Sequence, residues 1–212
     1  MARNRPARLA RSHGEPFGFG REAQNRARVA QLAARFIAEH GLTDWSIAKR
    51  KAARQLMLSE REALPGDDEV EAALVEHQAL FGGDAHQESL RAKRVEAVKW
   101  MRRLASFTPL LVGSVAAGWA TEHSDVRIEL VSDDAKAVEL ALINDEVPYR
   151  VAPGRSEDAP ELFIDAGGQG VRLIVRSTTA ARQRPRRDRN GNPEPRLDVK
   201  TVERLLDDGI SA

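Results

Sequence analysis

The chain has 212 residues, of which 42% are hydrophobic and 31% are charged, and its formal net charge is +1 at pH 7. This composition is typical of a soluble globular protein of one domain or two small ones. No run of 18 apolar residues is present, so a membrane-spanning helix and a membrane partner are not expected. The absence of cysteine excludes disulfides, thiolate metal sites and cysteine nucleophiles. Because the N-terminus lacks the apolar core of a secretory signal, the cytoplasm is the expected location.

The charge is distributed unevenly along the chain. Residues 1–65 carry 13 Lys/Arg against 6 Asp/Glu, whereas residues 108–177 carry 6 against 12. Basic termini that flank an acidic central region allow two interpretations. The termini could be arms that contact nucleic-acid phosphates, or they could be solvated segments without a partner.

The N-terminal half is predicted to be helical after a disordered basic arm. Residues 1–21 contain five arginines and almost no apolar residues, which predicts disorder. Residues 22–106 then show apolar positions at helical spacing, interrupted by turn residues. Four helices follow from this pattern. Thr43 or Asp44 is expected to cap the second helix, and the fourth is expected to bury Leu90, Val95, Val98, Met101 and Leu104. This region is predicted to be an all-helical module.

The pattern changes after Pro109 to that of a small α+β unit. Residues 107–177 contain short β-like runs around one helical segment, and they predict a mixed sheet of four or five strands with flanking helices. Among these runs, residues 126–131 alternate apolar with charged residues, as in a half-buried strand, and the turn Gly167-Gly168-Gln169-Gly170 separates the last two strands. Residues 178–212 are predicted to form a flexible basic linker and a short helix capped by Asp198, which could dock on the body. The expected fold class is therefore α+β, with a helical module preceding the sheet.

One segment of the α+β unit carries recognisable chemistry. A short apolar strand runs into Gly113-Ser114, and the next strand opens with Ser124-Asp125 about ten residues later. Glycine allows the backbone to approach a phosphate, and the serine hydroxyl can donate a hydrogen bond to it. The following amides at a helix start would also point toward the anion. The segment therefore predicts a phosphate-binding turn beside a carboxylate.

Over residues 108–177 this arrangement resembles the nucleotidyltransferase superfamily typified by DNA polymerase beta. The resemblance implies that Gly113 and Ser114 bind phosphate and that Asp125 is the first catalytic carboxylate and a ligand of Mg²⁺. In that family the next strand carries a second acid two residues later, so that both can hold magnesium. The later strand at residues 171–175 resembles the one that carries the third acid.

Two positions depart from that family pattern. Arg127 stands where the second carboxylate is expected, and Arg172 stands where the third is expected. Glu129 cannot replace them, because residues at i and i+4 of a strand lie roughly 13 Å apart. Two interpretations remain open. The arginines could bind phosphate while Asp125 orients one of them, or Arg127 could form surface ion pairs with Asp125 and Glu129.

A second basic element lies in the helical half. The stretch from Ala38 to Ala48 resembles the opening of bacterial helix-turn-helix regulators, in which a helix leads through a turn into a basic helix. The basic side chains predicted to contact nucleic acid are Lys49, Arg50, Lys51 and Arg54. A helical bundle with a solvated basic face would give the same pattern.

Two further residues near the motif allow a role. His123 precedes Ser124-Asp125 and could serve as a general base, or it could simply lie in the loop. Trp119 could form the floor of a base-binding pocket, or it could be a packing residue.

Three functions remain from these observations. The first is a divergent nucleotidyltransferase-like protein that binds a nucleotide or phosphorylated ligand, with catalysis weakened or lost. The alternative is a nucleic-acid-binding or regulatory protein that uses the basic N-terminal helices and arm. The third is a scaffold whose sheet is only structural.

Overall fold

The computed structural model describes residues 17–40, 42, 44–58, 64–152, 161–183 and 193–208. The elements before the sheet are the helices α1 (Phe17–His40), α2 (Trp45–Gln55), α3 (Asp67–Phe81) and α4 (Gly83–Arg103) and a 3-10 turn (Ala105–Phe107). The later elements are β1 (Leu110–Val112), α5 (Ser114–Ala117), β2 (Val126–Val131), α6 (Ala135–Asn144), β3 (Arg150–Ala152), β4 (Glu161–Ala166), β5 (Gln169–Arg176), α7 (Thr178–Ala181) and α8 (Val199–Asp208). The predicted α+β class is confirmed.

The helix boundaries follow local capping chemistry. The carboxylate of Asp44 accepts a hydrogen bond from the amide of Ile47 at 3.1 Å and so caps α2, as the sequence predicts. Glu69 accepts from the amide of Gly66 at 2.8 Å at the start of α3. Helix α1 begins at Phe17, five residues earlier than expected, so the predicted disorder of residues 1–21 is wrong for residues 17–21; residues 1–16 lie outside the described residues.

Helices α1, α2 and α3 enclose one hydrophobic core. Its centre is small and tightly packed, and its fully or almost fully buried members are Val29, Ala33, Ala34, Ala48, Ala52, Val70 and Leu74. Alanine at so many buried positions lets the three helix backbones approach closely. This core is separate from the one beneath the sheet.

Helix α4 packs against the sheet and α8, and its inward face matches the predicted stripe except at Val95. Val95, expected inside, is 51% exposed, whereas Lys93 is 4% exposed. Leu90, Val98, Met101 and Leu104 lie in the core beneath the sheet as expected, and Trp100 joins them there. The lysine is buried because its ammonium group contacts the loop before β2, a long-range partner that helical periodicity does not reveal.

The five strands form one mixed sheet in the order β1-β2-β5-β4-β3. β2 and β5 run parallel in the centre, with Arg127 opposite Arg172, while the other neighbouring pairs are antiparallel. Gly167 and Gly168, with φ of 66° and 95°, form the hairpin turn between β4 and β5. This register places the end of β1 and the start of α5 next to the first residues of β2 and β5, where the predicted motif lies.

The C-terminal segment returns to the sheet, as the sequence suggested. Asp198 caps α8 by accepting from the amide of Thr201 at 2.8 Å, and Val202 is fully buried against the core. Just before this helix, Leu197 exchanges two backbone hydrogen bonds with Leu111 at 2.8 and 2.9 Å. Part of the predicted flexible linker is ordered, because α7 forms within it; residues 184–192 lie outside the described residues.

No helix in the described part of the chain is long and apolar enough to cross a membrane.

Candidate functional site

The sheet has one face in the core and one face that carries charged side chains. Period-two alternation sends Val126, Ile128, Leu130, Val171, Leu173 and Val175 into the core. The intervening residues project from the opposite face, and they include the charged side chains of Arg127, Glu129, Glu161, Arg172 and Arg176. This charged face contains the three side chains that the motif singled out.

Asp125, Arg127 and Arg172 come together around a residue that the sequence did not single out, Glu161. Its two carboxylate oxygens accept one hydrogen bond each, from Arg127 Nη2 at 3.2 Å and from Arg172 Nη1 at 3.3 Å. Asp125 Oδ2 accepts from Arg172 Nε at 2.6 Å. We call these four residues the Glu161 cluster. Its formal charge is zero, since two guanidinium groups balance two carboxylates.

Arg172 is the most constrained cation of this cluster. Burial lowers the pKa of Arg172, but the hydrogen bond and charge of Asp125, followed by those of Glu161, raise it more, so the net shift is upward. The guanidinium also lies 5.6 Å from the ring centroid of Phe163, within reach of a cation–π contact. Asp125 therefore orients one of the two arginines.

The Gly113-Ser114 turn adjoins the same cluster through Arg127. Gly113 has φ of 71°, which L side chains rarely adopt, and a Cβ placed there would lie 3.3 Å from Arg127 Cδ. The glycine therefore lets the stem of the arginine pass close to the turn. Ser114 is buried at the start of α5, a helix of only four residues.

A second glycine makes room for Asp125. A Cβ built on Gly170 would lie 2.2 Å from Asp125 Oδ1 and 2.9 Å from Phe163, so any larger residue would displace the carboxylate. Gly170 is the second residue of β5 and pairs with Asp165. The close approach of Asp125 explains why glycine stands at this position.

Lys93 supports the loop that leads into Asp125. Its Nζ donates to the carbonyl oxygens of Ser124 at 2.9 Å and Glu122 at 3.1 Å. Burial lowers the pKa of Lys93, while the charges of Asp125 and Glu122 raise it by less. Sequence reasoning missed this residue, because a lysine within an amphipathic helix is expected at the surface.

His123 and Trp119 lie near the motif in sequence but make other contacts. His123 is 46% exposed and its Nε2 lies 3.1 Å from Glu122 Oε1. Trp119 packs among the helices, 5.8 Å from Trp45, and donates to Glu71 Oε1 at 2.9 Å. Trp119 is therefore a packing residue of the helical core, which agrees with the packing interpretation.

A second charged group lies further along the same face. Glu129 accepts from Arg176 Nη1 at 3.1 Å and from Arg196 of the C-terminal segment. Arg176 also donates to the carbonyl oxygen of Ala180 in α7 at 3.3 Å. We call Glu129, Arg176 and Arg196 the Glu129 cluster. It joins α7 and the C-terminal segment to the sheet.

The residues of the Glu161 cluster do not fit the Mg²⁺ ion that the sequence resemblance implies. Magnesium requires several oxygen ligands in near-octahedral geometry, commonly from more than one carboxylate. Asp125 Oδ2 is bonded to Arg172, and both oxygens of Glu161 are bonded to arginines. Cationic Arg127 and Arg172 occupy the positions at which further acids would be needed. The donor set here suits anions rather than a divalent cation.

The four basic residues of α2 do not form one set. Lys49 donates to Asp67 at 2.8 Å and to the carbonyl oxygen of Pro65 at 3.2 Å, so it joins α2 to α3. The others line a groove of about 430 Å³ on the exposed side of α2, which is formed by Ile47, Arg50, Lys51 and Arg54. Lys51 Nζ also lies 4.5 Å from the ring centroid of Phe36.

Comparison with known proteins gives partial structural likenesses. No family model matches the chain, and no curated protein matches it in sequence. Cid1 in complex with its short product ApU is 17% identical with a TM-score of 0.32, and the match covers 47% of this chain and 33% of that one. A cytoplasmic RNA terminal U-transferase gives 16% identity and a TM-score of 0.28, with 51% and 30% of the two chains covered. Cid1 poly(U) polymerase with bound MgGTP gives 13% and 0.33, with 49% and 40% covered. The match thus spans less than half the length of each of these proteins, at a similarity too low to carry a functional argument.

Proposed function

We propose that this chain is a divergent nucleotidyltransferase-like protein that binds a nucleotide or another phosphorylated ligand at the Glu161 cluster, with metal-dependent catalysis lost. The single observation that carries the proposal is the pairing of Arg127 with Arg172. These arginines are direct neighbours on adjacent parallel strands, and Arg127 lies against the Gly113 turn. Two guanidinium groups side by side match the oxygens of a phosphoryl group.

The contacts around the two arginines support binding of an anion. Asp125 holds the Nε edge of Arg172, and Gly113 lets the stem of Arg127 lie flat beside the turn. The side chains of the two arginines are 23% and 29% exposed, so solvent and a ligand can reach them. Partial burial also lowers the local dielectric, which strengthens charge-assisted hydrogen bonds to phosphate.

The same contacts argue against metal-dependent transfer. A two-metal mechanism needs carboxylates that bridge two ions about 4 Å apart. Asp125 is bonded to an arginine, and the positions of the other two acids are arginines. In this proposal Gly113, Ser114, Arg127 and Arg172 contact the phosphate, and Asp125 positions Arg172. The cytoplasm is the proposed location.

The test combines ligand binding with a transfer assay. Calorimetry with nucleoside mono- and triphosphates should detect binding by the wild type, and Arg127→Gln should weaken it about tenfold or more, since a charge-assisted hydrogen bond contributes about 1.5–3 kcal/mol. Labelled nucleoside triphosphates with Mg²⁺ should give no transfer to RNA, to protein or to the chain itself.

The matched control is Arg176→Gln, the same substitution on the same strand face but in the Glu129 cluster. It should leave the affinity unchanged within about twofold, because distant sites act independently. Absence of binding to every phosphorylated compound would refute the proposal. Transfer that is abolished by Asp125→Ala would show instead that the chain is an active enzyme.

A second candidate function is favoured by the groove on α2. Arg50, Lys51 and Arg54 lie on one helical face around exposed Ile47, an arrangement that could contact nucleic-acid phosphates. Residues 1–16, which lie outside the described residues, would add further positive charge. Lys49 takes no part in this proposal, because its ammonium group is bonded within the protein.

Salt dependence tests this candidate. Affinity for duplex DNA or RNA should fall steeply with salt, and Arg50→Gln with Arg54→Gln should reduce the slope of log K against log salt by about 0.7–0.9 for each lost phosphate contact. Arg35→Gln, which removes an exposed arginine of α1 that pairs with Glu39, is the control. Binding that does not respond to salt would contradict this function.

A further inference from the structure

The carboxylate of Glu161 has the same relation to the two arginines that a bound phosphoryl group would have. One oxygen accepts from Arg127 and the other from Arg172, at 3.2 and 3.3 Å. The side chain is only 4% exposed, so this is an internal contact and not a mobile surface pair. A phosphoryl group that bridges the same two guanidinium groups would need the same space and the same donors.

The arginines have other contacts that would hold them if the carboxylate moved away. Arg172 retains its 2.6 Å bond to Asp125 and its contact with Phe163. Arg127 retains its packing against Gly113. The two guanidinium groups are therefore held in place partly by contacts that do not involve Glu161. A site that exchanges one bound anion for another requires such independent contacts.

The charge of the cluster changes with the state of Glu161. With its carboxylate in place, two negative and two positive groups cancel. If that carboxylate is neutralised or displaced, the remaining Asp125, Arg127 and Arg172 carry one net positive charge. An incoming anion then meets a net attraction that the intact cluster does not offer.

We propose that Glu161 is an internal competitor, whose carboxylate occupies the place between Arg127 and Arg172 that the ligand's phosphoryl group takes on binding. This inference rests on the proposed function, and it specifies the ligand class as a phosphate monoester or inorganic phosphate. Such phosphate groups are mostly dianionic above their second pKa of about 6. They therefore carry more negative charge than the single charge of the carboxylate that they replace. A phosphodiester has one charge and does not displace Glu161.

The direct test is calorimetry at pH 8 with inorganic phosphate and AMP as probes and the full chain as the protein. Glu161→Gln keeps the size of the side chain and one oxygen acceptor but removes the competing charge. We expect it to bind both probes about tenfold more tightly than the wild type. Glu161→Asp keeps the charge but is one methylene shorter, so it cannot reach both arginines equally well, and a smaller increase of about threefold is expected.

Glu129→Gln is the matched control. Glu129 and Glu161 flank the same residue, Ile174, from the two neighbouring strands, and each is bonded to two arginines. The same loss of charge at Glu129 should change the affinity for AMP by less than about twofold, because the hydrogen bonds of its carboxylate go to Arg176 and Arg196. Circular dichroism establishes that each variant is folded.

The outcomes separate this inference from the proposed function. If neither the wild type nor the Glu161 variants bind either probe, the proposed function fails. If the wild type binds AMP but folded Glu161→Gln binds it equally or more weakly, the competitor role is overturned and the binding function stands. If both variants fail to fold, the inference is tested on the wild type alone. It then requires that dimethyl phosphate bind the wild type at least about tenfold more weakly than AMP does. Equal binding of the diester would overturn the inference.

Discussion

The Glu161 cluster and the Glu129 cluster use the same side-chain chemistry on one sheet face, yet their surroundings differ. Each contains a carboxylate that is bonded to two arginines. In the Glu129 cluster one of those arginines comes from the C-terminal segment, and the other also donates to α7. In the Glu161 cluster all members come from the sheet or its edge, and the neighbouring segment is the Gly113 turn.

This difference separates a structural ion pair from a candidate ligand site. Exposure does not distinguish the two clusters, because Arg176 is 31% exposed and Arg172 is 29% exposed. What differs is the set of chain segments that each cluster joins. The Glu129 cluster connects the sheet, α7 and the C-terminal segment, so its loss should lower the stability of the fold. The arginines of the Glu161 cluster lie instead beside the Gly113 turn, which a phosphate can approach closely.

The largest effect is expected from Arg172→Gln. This change leaves Asp125 and the buried Glu161 carboxylate without a shared cation, and breaking such a pair costs about 2–4 kcal/mol when one partner is nearly fully buried. Urea denaturation should show this loss of stability, and calorimetry should show no AMP binding. Unchanged stability would mean that the cluster is not formed in solution.

Gly113→Ala should have the next largest effect. Its φ of 71° is unfavourable for alanine, and the new methyl group would lie 3.3 Å from Arg127 Cδ. We expect a loss of about 1–3 kcal/mol in the free energy of unfolding together with weaker AMP binding, because Arg127 must move. Gly118→Ala, at φ of 87° but 3.7 Å from the nearest side-chain atom, is the control that should leave AMP binding unchanged.

Arg196→Gln tests the other side of the comparison. It removes the tail's contribution to the Glu129 cluster while Arg176 still pairs with Glu129. The free energy of unfolding should fall by about 1–2 kcal/mol, and the affinity for AMP should stay the same. A clear loss of AMP binding in this variant would show that the two clusters act as one site.

Lys93→Met should have the smallest effect and a distinctive pH dependence. The loss of hydrogen bonds to Ser124 and Glu122 is partly offset by removal of a buried charge, so a cost of about 1 kcal/mol is expected. Because burial lowers the pKa of Lys93 from its usual 10.5, the folded chain releases this proton at a lower pH than the unfolded chain. The wild type should therefore gain stability relative to the variant as the pH rises through this window toward 10.5. Parallel pH profiles of the two proteins would contradict the burial of a charged Lys93.

The fold could be predicted largely because its signals are local. The alternation of Val126 to Val131 predicts which side chains of β2 enter the core, and the Gly167-Gly168 turn predicts the hairpin. Asp44 and Asp198 cap the helices that the sequence assigns to them. Each of these features depends on residues within a few positions of one another.

The site could be predicted only in part, because its contacts are long-range. The motif identified Asp125, Arg127 and Arg172, and the structure places them together. Glu161 was missed, since it precedes the apolar run of β4 and one of its partners, Arg127, lies two strands away across β5. That contact depends on the parallel pairing of β2 with β5, which no local pattern encodes. The burial of Lys93 was missed for a similar reason, because its partners lie about 30 residues further along the chain.

The central claim is that the Glu161 cluster binds a phosphorylated ligand through arginines and without a metal. Calorimetric titration of the wild type with AMP, once with Mg²⁺ and once with a chelator, tests it most directly. We predict the same affinity in both titrations, because Asp125 and Glu161 are already bonded to guanidinium groups. Binding that occurs only with Mg²⁺, and that disappears in Asp125→Asn, would contradict it.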